Sequence, residues 1–220
     1  MRWQVGNTAL TIASALLATL AGATQSNELR EALERKPNLE RGRSLFEACA
    51  ACHRPDGAGA ADGDIPIIAG QHYKVIITQL VDFRRTERVD LRMNALAARH
   101  NLKGSQDLAD VAAYISSMPV RRTNEVGTGQ LTALGAQVYS RACVSCHGPD
   151  AEGDDQLRQP RLAGQHYGYL VKQIDMMIGG TRFNLSWDHS KLLKSLTDEE
   201  ITGVADYVAR LRPDASSPAN

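Results

Sequence analysis

Two copies of one short motif carry the chemistry that this chain could perform. The run Cys-Ala-Ala-Cys-His at 49–53 recurs 94 residues later as Cys-Val-Ser-Cys-His at 143–147. Cys-x-x-Cys-His is the attachment signature of c-type haem. Two thiols bind the vinyl groups of one porphyrin as thioethers, and the adjacent histidine lies under the iron as its proximal ligand. The residues in these roles would be Cys49, Cys52, His53, Cys143, Cys146 and His147.

Three other uses of a Cys-x-x-Cys pair are a redox dithiol, a zinc site and a disulfide. A zinc site built from two such pairs usually separates them by about 15–20 residues, far fewer than here. A thioredoxin-like site needs a βαβ setting, and the pattern of this chain shows none. Both copies carry histidine in the next position, and the two motifs use all 4 cysteines of the chain. The motifs therefore predict two covalently bound haem c groups.

Composition and the repeat together predict two small domains. The chain has 220 residues, of which 43% are hydrophobic and only 5% aromatic. Each repeat unit is short for a self-sufficient apolar core, and a buried haem would supply apolar mass to each one. The 25 basic residues balance 25 acidic ones, so no strong positive field exists to hold nucleic acid.

The N-terminus reads as a secretory signal over residues 1–23. Arg2 is a short positive region, residues 8–20 are apolar, and Ala21-Gly22-Ala23 offers a small-x-small cleavage site. An uncleaved membrane anchor is the alternative, but the apolar run is shorter than the roughly 20 residues that a bilayer span needs. Export to the periplasm agrees with haem attachment, which occurs outside the bacterial cytoplasm. Residues 24–37 are predicted to be a loose leader or one helical turn.

The helical pattern is repeated along with the motif and predicts an all-α fold. A helix that carries a glycine and an aromatic residue four positions apart precedes each first cysteine, with Gly42 and Phe46 in one copy and Gly135 and Tyr139 in the other. A terminal helix closes each unit, over about 105–117 and 198–211. We therefore predict domains at 37–119 and 131–212, joined by a linker at 120–130.

An identical run, Ala-Gly-Gln-His-Tyr, follows the motif in both copies at the same offset of 94 residues. Before it lie Pro66 and Pro160, each 13 residues after the motif histidine. Equal loop lengths with different sequences indicate that both loop ends are pinned to one rigid object. His72 and His166, within the run, could be iron ligands or histidines at a helix start near the haem edge. Their closeness to the prolines favours the helix start.

These motifs, in this order and spacing over residues 37–212, resemble those of the dihaem cytochrome c4 family. The resemblance implies two tandem class I cytochrome c domains related by a pseudo-twofold axis. It also implies that Pro66 and Pro160 offer their carbonyl oxygens to the proximal histidines, which makes those histidines better ligands. Proteins of that family pass electrons in the periplasm, often towards a terminal oxidase.

The resemblance also implies an axial methionine before the terminal helix of each domain. Met93 fits this place in the first unit, with His100 as a weaker competitor. The second unit has no methionine there, and His189 occupies the matching segment if the first unit has three extra residues around 99–104. We therefore predict His/Met iron in the first domain and His/His iron in the second. A surface histidine that leaves the second iron five-coordinate is the alternative.

The unequal ligands predict a direction for electron flow. Methionine ligation raises the iron potential, so the second haem should have the lower potential of the two. The leading function is electron transfer between a donor, such as a dehydrogenase or a cytochrome bc complex, and an acceptor such as a terminal oxidase. A dihaem enzyme, peroxidase-like or sulfur-compound-oxidising, with an open second haem is the alternative, and a subunit docked on a dehydrogenase is a third. Peripheral association with the membrane stays open.

Overall fold

The computed structural model describes residues 27–60, 62–120 and 124–212, whose regular structure is helical apart from two isolated β-bridges. The predicted signal segment and the C-terminal tail after residue 212 lie outside these ranges. The helices are α1 (27–34), α2 (Leu39–His53), α3 (Tyr73–Arg84), α4 (Leu91–Ala97), α5 (Ser105–Ser117), α6 (Thr132–Ala142), α7 (Val144–His147), α8 (Tyr167–Ile178), α9 (Trp187–Leu193) and α10 (Asp198–Arg210). Among these helices, none is long and apolar enough to cross a membrane.

Two separate hydrophobic cores confirm the tandem architecture. The first core is built from α1 to α5 and contains residues such as Ile77, Val81 and Leu108. The second is built from α6, α7, α8 and α10 around Val138 and Ala209. The terminal helix of each unit begins and ends within one residue of its predicted bounds. At Thr197, a reciprocal capping box satisfies backbone N–H groups at the start of α10.

A glycine at each main helix crossing permits close contact of the two backbones. At Gly42, an added Cβ would overlap the backbone carbonyl of Asp110 in α5, and at Gly135 it would overlap that of Gly203 in α10. One turn further along, an aromatic pair fills the same crossing. The ring centroids of Phe46 and Tyr114 are 5.4 Å apart, and α6 and α10 are joined by the corresponding tyrosine pair, at 5.7 Å. These crossings fix α2, which carries the first Cys-x-x-Cys-His motif, and α6, which ends directly before the second.

The segment before the first domain is more helical than the loose leader or single helical turn that the sequence predicts. Residues 27–34 form two helical turns, and Ala32 is fully buried in the first core. Glu28 is buried as well, and its carboxylate forms ion pairs with Arg84 and Arg99. The sequence did not predict this packing, because the segment is rich in charged residues. Its composition therefore looks like that of a solvent-exposed stretch, and nothing local shows that one glutamate is buried with two arginine partners.

The two domains contact each other through equivalent residues, as a pseudo-twofold pair. The ring Nε2 of His72 lies 2.6 Å from the carbonyl oxygen of Glu152 in the second domain. Reciprocally, the ring Nε2 of His166 lies 2.9 Å from the carbonyl oxygen of Ala58 in the first domain. On the other side of the interface, Arg88 and Arg182 form an isolated antiparallel bridge. The two histidine contacts are related by the offset of 94 residues, and the bridge joins two arginines that are themselves 94 residues apart.

The glycine at the α2–α5 crossing provides a test of this packing. Gly42→Ala should lower the free energy of unfolding of the first domain by about 1–3 kcal/mol, the range for overpacked cores, because the added methyl group must displace a backbone carbonyl. Denaturant unfolding of the haem-loaded protein, followed by circular dichroism, measures this change.

Gly104→Ala is the matched control for this prediction. Gly104 precedes α5 in extended backbone, and no atom lies within 4 Å of the position of an added Cβ. The control should change the free energy by no more than about 1 kcal/mol, the size of a helix-capping preference. Equal losses in both variants would contradict close backbone packing at Gly42.

Candidate functional site

The first attachment motif lies on the last turns of α2. Cys49 and His53 are four residues apart on one face of this helix, and both are buried, whereas Cys52 is exposed. In the second domain the equivalent helix is interrupted at Cys143, and the short helix α7 carries the rest of the motif. His147 is buried there in the same way. The helical spacing places Cys49 and His53 on one face of α2, and the second motif places His147 on α7.

Each motif histidine is oriented by a backbone carbonyl. The Nδ1 atom of His53 lies 3.0 Å from the carbonyl oxygen of Pro66, and that of His147 lies 3.2 Å from the carbonyl oxygen of Pro160. Burial lowers the pKa of both histidines, which favours the neutral imidazole. A neutral ring that donates from Nδ1 keeps the lone pair of Nε2 for a metal ion.

The cysteine environments differ from those of a redox dithiol. Burial raises the pKa of the Cys49 thiol to about 11, and it does the same for Cys143. Reactive dithiols instead have lowered thiol pKa values, because the thiolate is the nucleophile. Within residues 27–60, 62–120 and 124–212, no three His, Cys, Asp or Glu side chains converge as a metal-binding group. The donor set in each domain, two thiols and one oriented imidazole, is therefore the set that a covalent haem c requires.

Met93 lies at the start of the short helix α4, facing the first core. It is the third residue of this helix and packs, partly buried, against the core cluster that contains Cys49. Asp90 caps the helix, and its side chain accepts from the Met93 backbone N–H at 3.2 Å. Burial is the largest influence on the pKa of His53, the hydrogen bond to the Pro66 carbonyl is the second, and the charges of Arg92 and Asp90 follow.

His189 occupies the equivalent position in the second domain. It is the third residue of α9, and Ser186 caps this helix by accepting from the His189 backbone N–H at 3.2 Å. The ring of His189 faces that of His147 with the centroids 6.4 Å apart and an angle of 52° between the ring planes. Burial, followed by the charge of His147, lowers the pKa of His189. Both rings are therefore held in the neutral form that can ligate a metal.

The spacing of the two rings fits a metal ion between them. Imidazole nitrogens bind a first-row transition metal at about 2 Å, so two rings on opposite sides of one ion have centroids roughly 6 Å apart.

An alignment of the two copies at a fixed offset of 94 residues misses the equivalence of Met93 and His189, because the segments on both sides of α9 differ in length from their counterparts. The α8–α9 segment (179–186) has two residues more than its counterpart at 85–90, and the α9–α10 segment (194–197) has three fewer than the one at 98–104.

Two further histidines contact the other domain. His72 and His166 stand just before α3 and α8 and are buried at the domain interface, where their Nε2 atoms meet carbonyl oxygens. The prediction of a helix-start position is confirmed for both, but the interface role was missed. The identical Ala-Gly-Gln-His-Tyr run in both copies was the sequence signal from which this interface role could have been predicted.

His100, the competitor of Met93, is exposed, and its ring contacts the side chain of Asn101.

Comparison with known proteins agrees with this geometry. The sequence profile of the family described as Cytochrome c matches residues 39–119 and again 132–212. Cytochrome c4 of Pseudomonas aeruginosa is 32% identical over 77% of this chain and 87% of its own length. A protein of Stutzerimonas stutzeri named thiosulfate dehydrogenase electron acceptor is 32% identical over 74% of this chain and 79% of its own.

A solved structure shares the arrangement of both domains. The crystal structure of reduced recombinant cytochrome c4 from Pseudomonas stutzeri superposes with a TM-score of 0.69 and 28% sequence identity. The match covers 80% of this chain and 100% of the other. Because it extends over the whole of that two-domain chain, the pairing of the domains is shared and not only the fold of one unit.

Covalent attachment at each motif can be counted by mass. Exported wild-type protein should retain the mass of two haem groups after denaturation, because thioether bonds survive unfolding. Replacing both Cys143 and Cys146 by alanine should remove one of the two haem masses, as measured by denaturing mass spectrometry. Ser145→Ala, between these cysteines, should keep both. Retention of two haems by the double alanine variant would refute attachment at the second motif.

Proposed function

Because this chain belongs to the cytochrome c family, as a dihaem protein of the cytochrome c4 type, we propose that it is an exported carrier of single electrons between redox proteins of the periplasm. When bound, each haem supplies an iron that exchanges one electron between its ferric and ferrous states. The observation that carries the proposal is the equal placement of Met93 and His189 at the third position of two equivalent capped helices.

We propose His53 and Met93 as the axial ligands in the first domain. The His53 ring, held at Nδ1 by the Pro66 carbonyl, presents Nε2 from one side. Met93 approaches from the helix that the Asp90 side chain caps. His100 is exposed and contacts Asn101, which supports the methionine over the competing histidine.

We propose His147 and His189 as the axial ligands in the second domain. The centroid spacing of 6.4 Å between their rings supports a shared metal ion. A histidine bound in this place would fill the position at which a peroxidase or a sulfur-oxidising haem enzyme binds its substrate. The arrangement thus favours an electron carrier over the alternative of a dihaem enzyme.

Unequal ligands give the two domains different tasks. A methionine ligand raises the reduction potential of an iron relative to more strongly donating ligands such as a second imidazole. Electrons would enter through the second domain and rest in the first. For a one-electron couple, each ~59 mV of difference changes the electron distribution tenfold.

The partners of such a carrier are other redox proteins. Homologues act with redox partners, and one relative is named as the electron acceptor of a thiosulfate dehydrogenase. We propose a periplasmic dehydrogenase or a cytochrome bc complex as the donor class and a terminal oxidase as the acceptor class. The balance of 25 basic and 25 acidic residues implies modest electrostatic steering towards either partner.

The ligand pair in each domain can be read by low-temperature EPR and near-infrared magnetic circular dichroism of the oxidised protein. Wild type should give one His/Met and one His/His signature. His189→Met should convert the second signature to His/Met and raise the potential of that haem by at least ~59 mV, a tenfold change in its oxidised-to-reduced ratio. His100→Ala should change neither signature. Two His/Met signatures in wild type would refute ligation by His189.

Binding of carbon monoxide to the reduced protein distinguishes a carrier from an enzyme. We expect slow and incomplete binding at neutral pH, because a protein side chain ligates each iron on both sides. His189→Ala should bind carbon monoxide rapidly at one haem, whereas Lys191→Ala, with a change two residues further along, should behave as wild type. Rapid binding at one haem of the wild type would instead favour the enzyme.

A further inference from the structure

The peptide group after each proximal proline is hydrogen-bonded at both ends. In the first domain, the Pro66 carbonyl oxygen lies 3.0 Å from Nδ1 of His53. The N–H of the same peptide unit belongs to Ile67, and it donates to the side-chain oxygen of Gln165 at 2.9 Å. Gln165 lies in the second domain, so the peptide that orients one motif histidine is held by the other domain.

The second domain has the same chain of contacts in the opposite direction. The Pro160 carbonyl oxygen lies 3.2 Å from Nδ1 of His147. The N–H of that peptide unit belongs to Arg161 and donates to the side-chain oxygen of Gln71 at 2.9 Å. Gln71 lies in the first domain. Each residue in this series of hydrogen bonds is 94 residues away in the sequence from its counterpart in the other series.

Each glutamine amide is fixed by a second hydrogen bond to the same residue. The Nε2 group of Gln165 donates to the Ile67 carbonyl at 2.8 Å, and that of Gln71 donates to the Arg161 carbonyl at 2.9 Å. Both bonds of Gln165 are buried. Two bonds to one residue determine the orientation of the amide, and its oxygen is therefore held against the peptide N–H.

We propose that Gln165 and Gln71 are cross-domain positioning residues, each of which strengthens the proximal histidine ligand of the opposite domain. The proposal rests on the proximal role of His53 and His147 given above. A peptide whose N–H donates a hydrogen bond becomes a better acceptor at its carbonyl, because hydrogen bonds in a chain polarise one another. A better acceptor at Nδ1 makes the imidazole a stronger donor to the metal.

The sign of the effect follows from this relay. A more basic imidazole stabilises the oxidised iron and lowers the reduction potential. Loss of the glutamine acceptor should therefore raise the potential of the haem in the opposite domain. It should leave the haem of the glutamine's own domain nearly unchanged. An ordinary structural role in domain packing would not produce this crossed pattern.

The test measures both potentials in the full haem-loaded chain. Gln165→Leu should raise the potential of the first-domain haem, and Gln71→Leu that of the second-domain haem. The expected change in the oxidised-to-reduced ratio at fixed potential is about threefold, or ~30 mV at 59 mV per tenfold change. The two haems are followed separately through their hyperfine-shifted NMR signals. Shifts confined to the haem of the substituted domain, or absent from both, would overturn the proposal.

Gln156→Leu is the matched control for packing at the interface. The exposed side chain of Gln156 accepts a hydrogen bond from the Lys74 ammonium group of the first domain. Like Gln165→Leu, this variant therefore removes a hydrogen bond between the domains in which a glutamine oxygen is the acceptor. It contacts neither proline peptide and should shift neither potential. A first-domain shift as large as that of Gln165→Leu would assign the effect to the interface as a whole and overturn the proposal.

Gln165→Glu separates the hydrogen bond from the volume of the side chain. Glutamate keeps an oxygen that accepts from the Ile67 N–H but loses the N–H that Gln165 donates to the Ile67 carbonyl. Its negative charge favours the oxidised iron, as the retained acceptor does, so the potential of the first-domain haem should not rise. A rise equal to that of Gln165→Leu would show that the acceptor is irrelevant.

Amide hydrogen exchange gives a second readout if a leucine variant loads haem poorly. Exchange at Ile67 should accelerate in Gln165→Leu while exchange at Arg161 stays slow. A wild type without two reversible haem couples would instead refute the proposed function itself.

Discussion

The hydrogen bond between the motif histidine and a proline carbonyl is the constraint on which the rest of the structure depends. In both domains it spans 13 residues, from His53 to Pro66 and from His147 to Pro160. The loop between them can vary in sequence, but its ends must meet at the same distance, because one ring nitrogen must face the carbonyl and the other must face the iron. The Gly42 and Gly135 crossings serve this constraint by fixing α2, which carries His53, and α6, which leads directly into the segment that carries His147.

The two domains are symmetric on the proximal side and different on the distal side. Each proximal peptide is contacted by the glutamine of the other domain, so duplication produced two sites that complete each other. On the distal side, Met93 and His189 stand on equivalent capped helices, but the flanking segments differ in length. Contacts at a shared interface must remain complementary, whereas Met93 and His189 each stand within one domain only. The proposed distal ligands are therefore free to differ between the two copies.

Much of the fold followed from the sequence, because its signals are local. The glycine–aromatic spacing predicted a helix before each first cysteine, and the terminal helices were predicted to within one residue of their observed bounds. The main difference is at residues 27–34, which form the two-turn helix α1 where a loose leader or one helical turn was predicted. This helix is held by the buried Glu28 and its arginine partners Arg84 and Arg99. Those partners lie far along the chain, and no local pattern identifies them.

The sequence by itself determined that two haems are attached, because each run of five adjacent residues contains both thiols and the histidine of the attachment signature. It also predicted His53 and His147 as the proximal ligands and, through the missing second methionine, a distal pair that differs. Only the tertiary structure decided how the domains join, with His72, His166 and the two interface glutamines reaching across to carbonyls or peptides in the opposite domain. Histidine and glutamine can pair with many partners, and the choice among them is made by packing between residues that are distant in the chain.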